Sequence, residues 1–162
     1  MEFTFDHTIY ILGILLGVGF TLIGVWFTEY LKDKHEKIRL TKAFKTEALA
    51  NLQKANFNLG LLNDPIEEHK GARHAFYTQA YEQLKLNILL DWTKSELASY
   101  IFNGYIFAEE YNKRMYKPKL YEKEMGSEKV ILDQIKKNMF SIDQSLKNCK
   151  NIEAILKEDK DC

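Results

Sequence analysis

Hydrophobic and polar positions follow three different rhythms along the chain. From Thr8 to Thr28 the sequence TIYILGILLGVGFTLIGVWFT runs 21 positions without a charge. A bilayer core needs about 20 apolar residues in a helix, and a buried helix of a water-soluble domain usually keeps a charged face. A cleaved signal would call for a basic start and a small-residue cleavage site. This stretch is preceded by Glu2 and Asp6 and ends in VWFTEY. The pattern predicts an uncleaved transmembrane helix over 8–28.

The second rhythm begins in the next residues. Phe44, Ala48, Leu52, Ala55, Leu59 and Leu62 are spaced three or four apart, and no proline interrupts residues 29–62. That is a helical seam, so the membrane helix is expected to run on unbroken. Thr8 to Leu62 as one helix would be about 80 Å long. Asp64-Pro65 with Glu67, then Gly71, predicts a loop.

A second helix is expected from about Arg73 to Leu90, with Phe76, Ala80, Leu84 and Ile88 on one face. Thr93 and Glu96 read as a capping box opening a third helix. Its inner face would carry Leu97, Ile101, Gly104, Ala108 and Met115. Pro118 and Gly126 bracket the next connection. Ser127 is expected to cap a fourth helix with a seven-residue repeat, Ile135, Ile142, Cys149 and Leu156, flanked by Ile131, Met139, Leu146 and Ile152.

The expected fold is therefore all-α: one transmembrane helix continuing into a cytoplasmic antiparallel bundle of about four helices. The segments are a short extracytoplasmic tail at 1–7, the span at 8–28, the helical domain at 29–158 and a frayed tail at 159–162. An extended coiled-coil oligomer is the competing arrangement.

Composition sharpens this in two ways. Only two prolines and eight glycines occur in 162 residues, and four of the glycines lie in the apolar run, so little outside it breaks a helix. Lys+Arg and Asp+Glu are both 23. Beyond residue 28 the net charge is only +2, too weak a footprint for nucleic acid.

The local charge is more telling. Lys32, Lys34, Lys37 and Arg39, then Lys42 and Lys45, follow the span, and nothing basic precedes it. The positive-inside rule then puts residues 31–162 in the cytoplasm and the N-terminus outside, at a cell membrane crossed once. Tyr10 at one end and Trp26 and Tyr30 at the other suit the aromatic belts. Cys149 and Cys162 lie in no metal or redox motif and would stay reduced in that compartment.

Candidate contacts are few. Gly13 and Gly17 form a GxxxG, and Thr21 and Gly24 continue small residues along nearby positions. Such a stripe lets helices approach closely in lipid, although glycine is common in membrane helices in general. Tyr105, Tyr111, Arg114 and Tyr116 lie in a segment dense in aromatics and bases. Bundle packing accounts for part of it, and a surface for a protein partner or the membrane is the other reading.

His69 and His74 have the wrong spacing for a zinc helix. Asp33, Glu36 and Glu47 interleave with Lys32, Lys37 and Lys45 as expected of surface charge pairs. No phosphate loop, nucleophile elbow or acid–base pair stands out, and no cofactor or metal is expected.

Three segments, TEALANL at 46–52, FYTQAYEQLKLNILLDW at 76–92 and ELASYIFNGYIFAEEYN at 96–112, cover the chain's packing motifs. With the N-terminal apolar helix, they make it resemble a loose class of uncharacterised prokaryotic single-span membrane proteins with a cytoplasmic helical bundle. The resemblance implies a membrane-anchored bundle and carries over no functional residue. The expected function is a non-catalytic interaction or adaptor protein, with the lipid bilayer and a homo-oligomer or protein partner as contacts. A self-assembling pore-forming or stress-response component is the alternative.

Overall fold

The structure, a computed structural model, describes residues 5–63, 73–87, 95–116, 125–147, 149 and 152. Among these residues it is all-α, with four helices and no strands. They are α1 (Phe5–Asn63), α2 (Gln79–Asn87), α3 (Glu96–Tyr116) and α4 (Met125–Leu146). The chain divides into two compact units, Met1–Glu36 and Lys37–Cys162.

The first unit is the N-terminal part of α1. Its apolar side chains face outward all round: Leu15 is 64% exposed, Phe20 72% and Trp26 67%. No water-soluble helix gains from this, because each exposed large side chain forgoes about 1.5–3 kcal/mol of burial. Thr21 and Thr28 satisfy their hydroxyls within the helix, donating to the carbonyls of Gly17 and Gly24 at 2.8 Å each.

The second unit holds the core. Phe44, Ala48, Ala55 and Leu59 of α1 are buried, with Leu52 and Leu62 packed beside them, which is the expected seam. From α4 come Ile131, Leu132, Ile135, Met139, Ile142 and Leu146, followed by Cys149 and Ile152. Leu156 lies outside the described residues.

Printed contacts give each element's direction. Ascending α1, Lys45 reaches the carbonyls of Lys147 and Cys149, and Thr41 accepts from the Ile152 N–H, so α4 descends beside it. Glu47, Asn51 and Asn58 meet residues 80, 77 and 74 in turn, so the 73–87 stretch also descends. Phe44 packs on Tyr105, and Phe76 bonds Asn112, so α3 ascends. The result is an up-down-up-down bundle. Lys45 also supplies a cation where α4 leaves carbonyls without helical partners.

Helix boundaries differ from the sequence reading in three places. Residues 73–78 are not helical, although a helix was expected from Arg73. The seam pattern at Phe76 and Ala80 is real, but polar side chains from α1 and α3 take the backbone groups that a helical turn would use. At α3 the Ser95 hydroxyl accepts the Ala98 N–H at 3.1 Å, so Ser95 is the N-cap. Thr93, expected in that role, lies outside the described residues, as does the loop expected at 64–71. Helix α4 begins at Met125, two residues before Ser127.

Gly104 sets how closely α3 and α4 approach. A Cβ there would stand 3.0 Å from Asn138 Cβ and 3.3 Å from Met139 Cε. The first is a branch point fixed by the α4 backbone and cannot swing aside. Overpacking of this kind costs about 1–3 kcal/mol, against a helix-propensity gain of about 1 kcal/mol. Gly104→Ala should therefore lower the thermal midpoint by a few degrees, and Gly104→Leu should do so severely; a midpoint raised by Gly104→Ala would show the two helices free to separate.

Candidate functional site

Helix α1 carries two features that a bundle does not need for its own stability. The first is the uncovered apolar stretch at residues 10–28, within the helix Tyr10–Asn63 that is long and apolar enough to cross a membrane. Within it, a Cβ added at Gly13, Gly17 or Gly24 would meet nothing within 4 Å. The small-residue stripe with Thr21 is thus open along the helix. Trp26 and Tyr30 stack at 6.0 Å between centroids at the basic end of the stretch. The bases Lys32, Lys34 and Arg39 are exposed, and Lys37 is half-buried.

The second feature is a groove of about 570 Å³ in the Lys37–Cys162 unit. It runs along one face of α1, with Arg39, Lys42, Thr46 and Ala50 on one side and Tyr77, Gln79 and Gln83 on the other. Ala43 and Ala80 form shallow points of its wall.

The groove keeps its shape because of a set of buried polar side chains. Asn51 and Asn58 are fully buried on the apolar seam of α1. Asn51 accepts the Tyr77 N–H and donates to the Tyr77 carbonyl, both at 2.8 Å. Asn58 does the same for His74, at 2.9 and 2.8 Å. Asn112 of α3 does it for Phe76, at 2.8 and 3.0 Å. Each carboxamide supplies one acceptor and one donor to one residue, as a neighbouring strand would. Lys54 adds a bond to the Ala75 carbonyl at 2.6 Å and lies 3.2 Å from the Tyr77 ring centroid.

Glu47 completes the set. Its two oxygens accept the N–H groups of Ala80 and Tyr81 at 2.8 and 3.1 Å. These are orphan donors in the first turn of α2, so a carboxylate on another helix does the work of an N-cap. The charge pair expected between Glu47 and Lys45 is therefore absent: Glu47 is buried against α2, and Lys45 caps α4.

The partner surface expected at Tyr105, Tyr111, Arg114 and Tyr116 needs correction. Tyr105 and Tyr111 are 0% and 1% exposed. Tyr105 stacks on Tyr81 at 4.3 Å and packs on Phe44, while Tyr111 meets Phe76 edge-on. Both are core side chains, because their positions fall on the α3 face turned to the bundle. Only Tyr116, at 78% exposed, stands clear, and Arg114 pairs with Glu110 at 3.1 Å.

Neither buried hydroxyl has a hydrogen-bond partner among the described residues. Burial, with the Glu47 charge beside it, pushes the Tyr105 phenol far above its ordinary value. Burial, with the charge of Glu128, does the same to Tyr111, opposed by Arg73. Arg73 itself holds Glu128 at 2.7 Å.

A raised phenol pKa stabilises the fold fully below the unfolded value near 10 and ceases to do so above it, because only the unfolded chain then releases its proton. Stability should fall above about pH 10 by up to about 1.4 kcal/mol per pH unit for each such tyrosine. Melting curves of wild type and the Tyr105→Phe/Tyr111→Phe variant across this range check it. The variant should show the shallower fall; identical slopes would contradict the burial effect.

Among the described residues no three His, Cys, Asp or Glu side chains gather as a metal site. His74 packs on Phe57 at 4.9 Å, and His69 lies outside the described residues. Comparison with known protein families, curated proteins and solved structures finds no match.

Sequence reasoning missed the asparagines and Glu47. A signal was present: Asn51 and Asn58 stand seven apart on the same seam as Ala48 and Ala55, and asparagine is a poor residue for a buried helix face unless it is bonded.

Proposed function

We propose that the chain is a membrane-anchored, non-catalytic interaction protein. Residues 8–28 cross the cell membrane once, the N-terminus lies outside, and the Lys37–Cys162 unit works on the cytoplasmic side. The supporting observation is the apolar stretch of α1, whose large side chains are exposed on every face over residues 10–28. Water is a poor solvent for such a surface, and lipid is a good one. The orientation rests on the bases after the stretch and their absence before it.

Gly13, Gly17, Thr21 and Gly24 form the face with which this span meets another, either a second copy or a partner's helix. Their open surroundings support that role. The span carries no Asp, Glu, Lys, Arg or His within 8–28, which disfavours a water path or proton relay through one copy. An adaptor is therefore preferred to a pore.

The test is affinity capture of the full-length protein from gently solubilised native membranes, with and without Gly13→Ile/Gly17→Ile. Association through the span should fall at least several-fold in the variant, since β-branched side chains hold the helices apart. A partner kept equally by both forms would move recognition to the helical unit. Recovery of this chain alone, as an oligomer, would favour the self-assembling alternative.

A further inference from the structure

The groove lies on the side of the bundle that its own helices fill least. There α1 faces residues 73–78, which are not helical, and then α2, with nine residues against 21 in α3. The α1 wall is made of small side chains, Ala43, Thr46 and Ala50, with Ala80 across from them. Helix axes come closest where side chains at the contact are small.

These positions belong to a second heptad of α1. Ala43, Thr46, Ala50 and Phe57 are spaced three, four and seven apart, the a, d, a and a places of a two-helix seam. Gln53 and Gly60 take the other d places. The inner seam of Phe44, Ala48 and Ala55 is separate and already buried. Phe57 is 47% exposed, and Leu49, a flanking g position, is 44% exposed. In the same register Lys42 is a g position and Glu47 the e position five residues on. Across a parallel pair of helices those two places face each other. Both line the groove. Glu47 accepts two N–H groups from α2, but a carboxylate has about four lone-pair sites and can take a lysine as well.

We propose that this groove seats helix α1 of a second copy, parallel and in register. Ala43, Thr46 and Ala50 of each chain face their counterparts, and Lys42 of each pairs with the partner's Glu47. This rests on the membrane reading above, because a shared membrane gives all copies one orientation and one depth. The contact is isologous and closes at two copies. A helix from another protein could match the alanines, but the spacing of Lys42 and Glu47 complements this chain with itself.

The contact is weak alone. The seam from 43 to 57 is about 21 Å long and about 10 Å wide, or roughly 200 Å² on each helix, against about 800 Å² per partner in a stable interface. Tethering in one membrane raises the effective concentration and makes such a contact sufficient. Arg39 takes the d place before Ala43, where the like charges of two copies repel. Pairing is therefore set below its maximum at the end nearest the span.

The test is oxidative cross-linking of full-length chains in native membranes, with Cys162→Ser and the buried Cys149 kept. Ala43→Cys and Ala50→Cys should each form dimers on the order of tenfold more than Ile38→Cys, which is exposed on α1 but off the seam. Lys42→Glu, facing the partner's Glu47, should cut the Ala50→Cys cross-link several-fold, and Arg39→Leu should raise it. Lys136→Glu, the same charge change on an exposed α4 position, should leave it unchanged. Circular dichroism melts of these surface variants should match the parent chain.

Cross-linking of Ile38→Cys equal to that of Ala50→Cys would overturn the groove in favour of random collision of tethered chains. A cross-link at 43 and 50 to a different protein would overturn the second copy as occupant. Absence of any cross-link there, in a chain that stays in the carbonate pellet, would overturn the pairing and leave the anchor standing. A chain that carbonate releases, yet that cross-links at 43 and 50 and not at 38, would sink the anchor and leave the pairing.

Discussion

Asn51→Leu should destabilise the Lys37–Cys162 unit by about 3 kcal/mol, more than any single aliphatic truncation of similar size on its surface. Leucine keeps the branched heavy-atom skeleton but replaces the polar atoms by bulkier methyl groups, so the loss is chiefly that of the hydrogen bonds, with some overpacking added. The Tyr77 N–H and carbonyl, each bonded to the carboxamide at 2.8 Å, would be left in a fully buried site. An unsatisfied buried backbone group costs about 1–3 kcal/mol, and here there are two. Asn51→Asp keeps the acceptor but sets a carboxylate against a carbonyl, so it should fare no better. Thermal unfolding of full-length protein in mild detergent measures this. A loss under about 1 kcal/mol would mean that water reaches residue 77 and that the asparagine bracket is not what holds the non-helical stretch. Because Tyr77 also lines the groove, the variant should loosen that wall before the helices separate.

Val18→Arg should abolish membrane integration. Val18 lies at the middle of the 8–28 stretch and is 53% exposed. Arginine at the centre of a span costs about 2.5–3.5 kcal/mol, and valine's favourable contribution is lost as well. Position 18 is too deep in the 8–28 stretch for easy snorkelling to either interface. The integrated fraction should drop on the order of 100-fold relative to wild type. Arginine at Ile38, beyond the apolar stretch and 43% exposed, should leave it unchanged. Equal integration of the Val18→Arg chain would mean that lipid does not surround this helix.

The parts of the fold that were legible in sequence are those written in apolar periodicity. The seam from Phe44 to Leu62 and the seven-residue repeat from Ile135 to Cys149 face the core as their spacing requires. The uncharged run before them is the exposed helix surface. Polar side chains on the same faces decided what periodicity could not. Residues 73–78 look helical by pattern because Phe76 and Ala80 do point inward. They are not, because Asn51, Asn58 and Asn112 offer their backbone better-placed partners than a helical turn would.

Such partners come from 16 to 36 residues away, and no local window contains them. Glu47 misled for the same reason: beside Lys45 it reads as a surface pair, and only the arrival of α2 makes it a cap. The aromatics of α3 misled in the other direction. Their number left bundle packing and a partner surface both open, and Tyr105 and Tyr111 sit on the inward face, their hydroxyls without a hydrogen-bond partner among the described residues. The groove was not legible at all, since it joins residues 39–50 to residues 77–83 and depends on alanines being small.

The most direct test of the account is the topology of the full-length chain in native membranes, read by carbonate extraction and by protease digestion of intact spheroplasts and inverted vesicles. The chain should remain in the pellet at alkaline pH. Its Lys37–Cys162 unit should be protected in spheroplasts and digested in inverted vesicles. Release into the carbonate supernatant, or digestion of that unit from outside the cell, would contradict the single cytoplasm-facing anchor on which the proposed function stands.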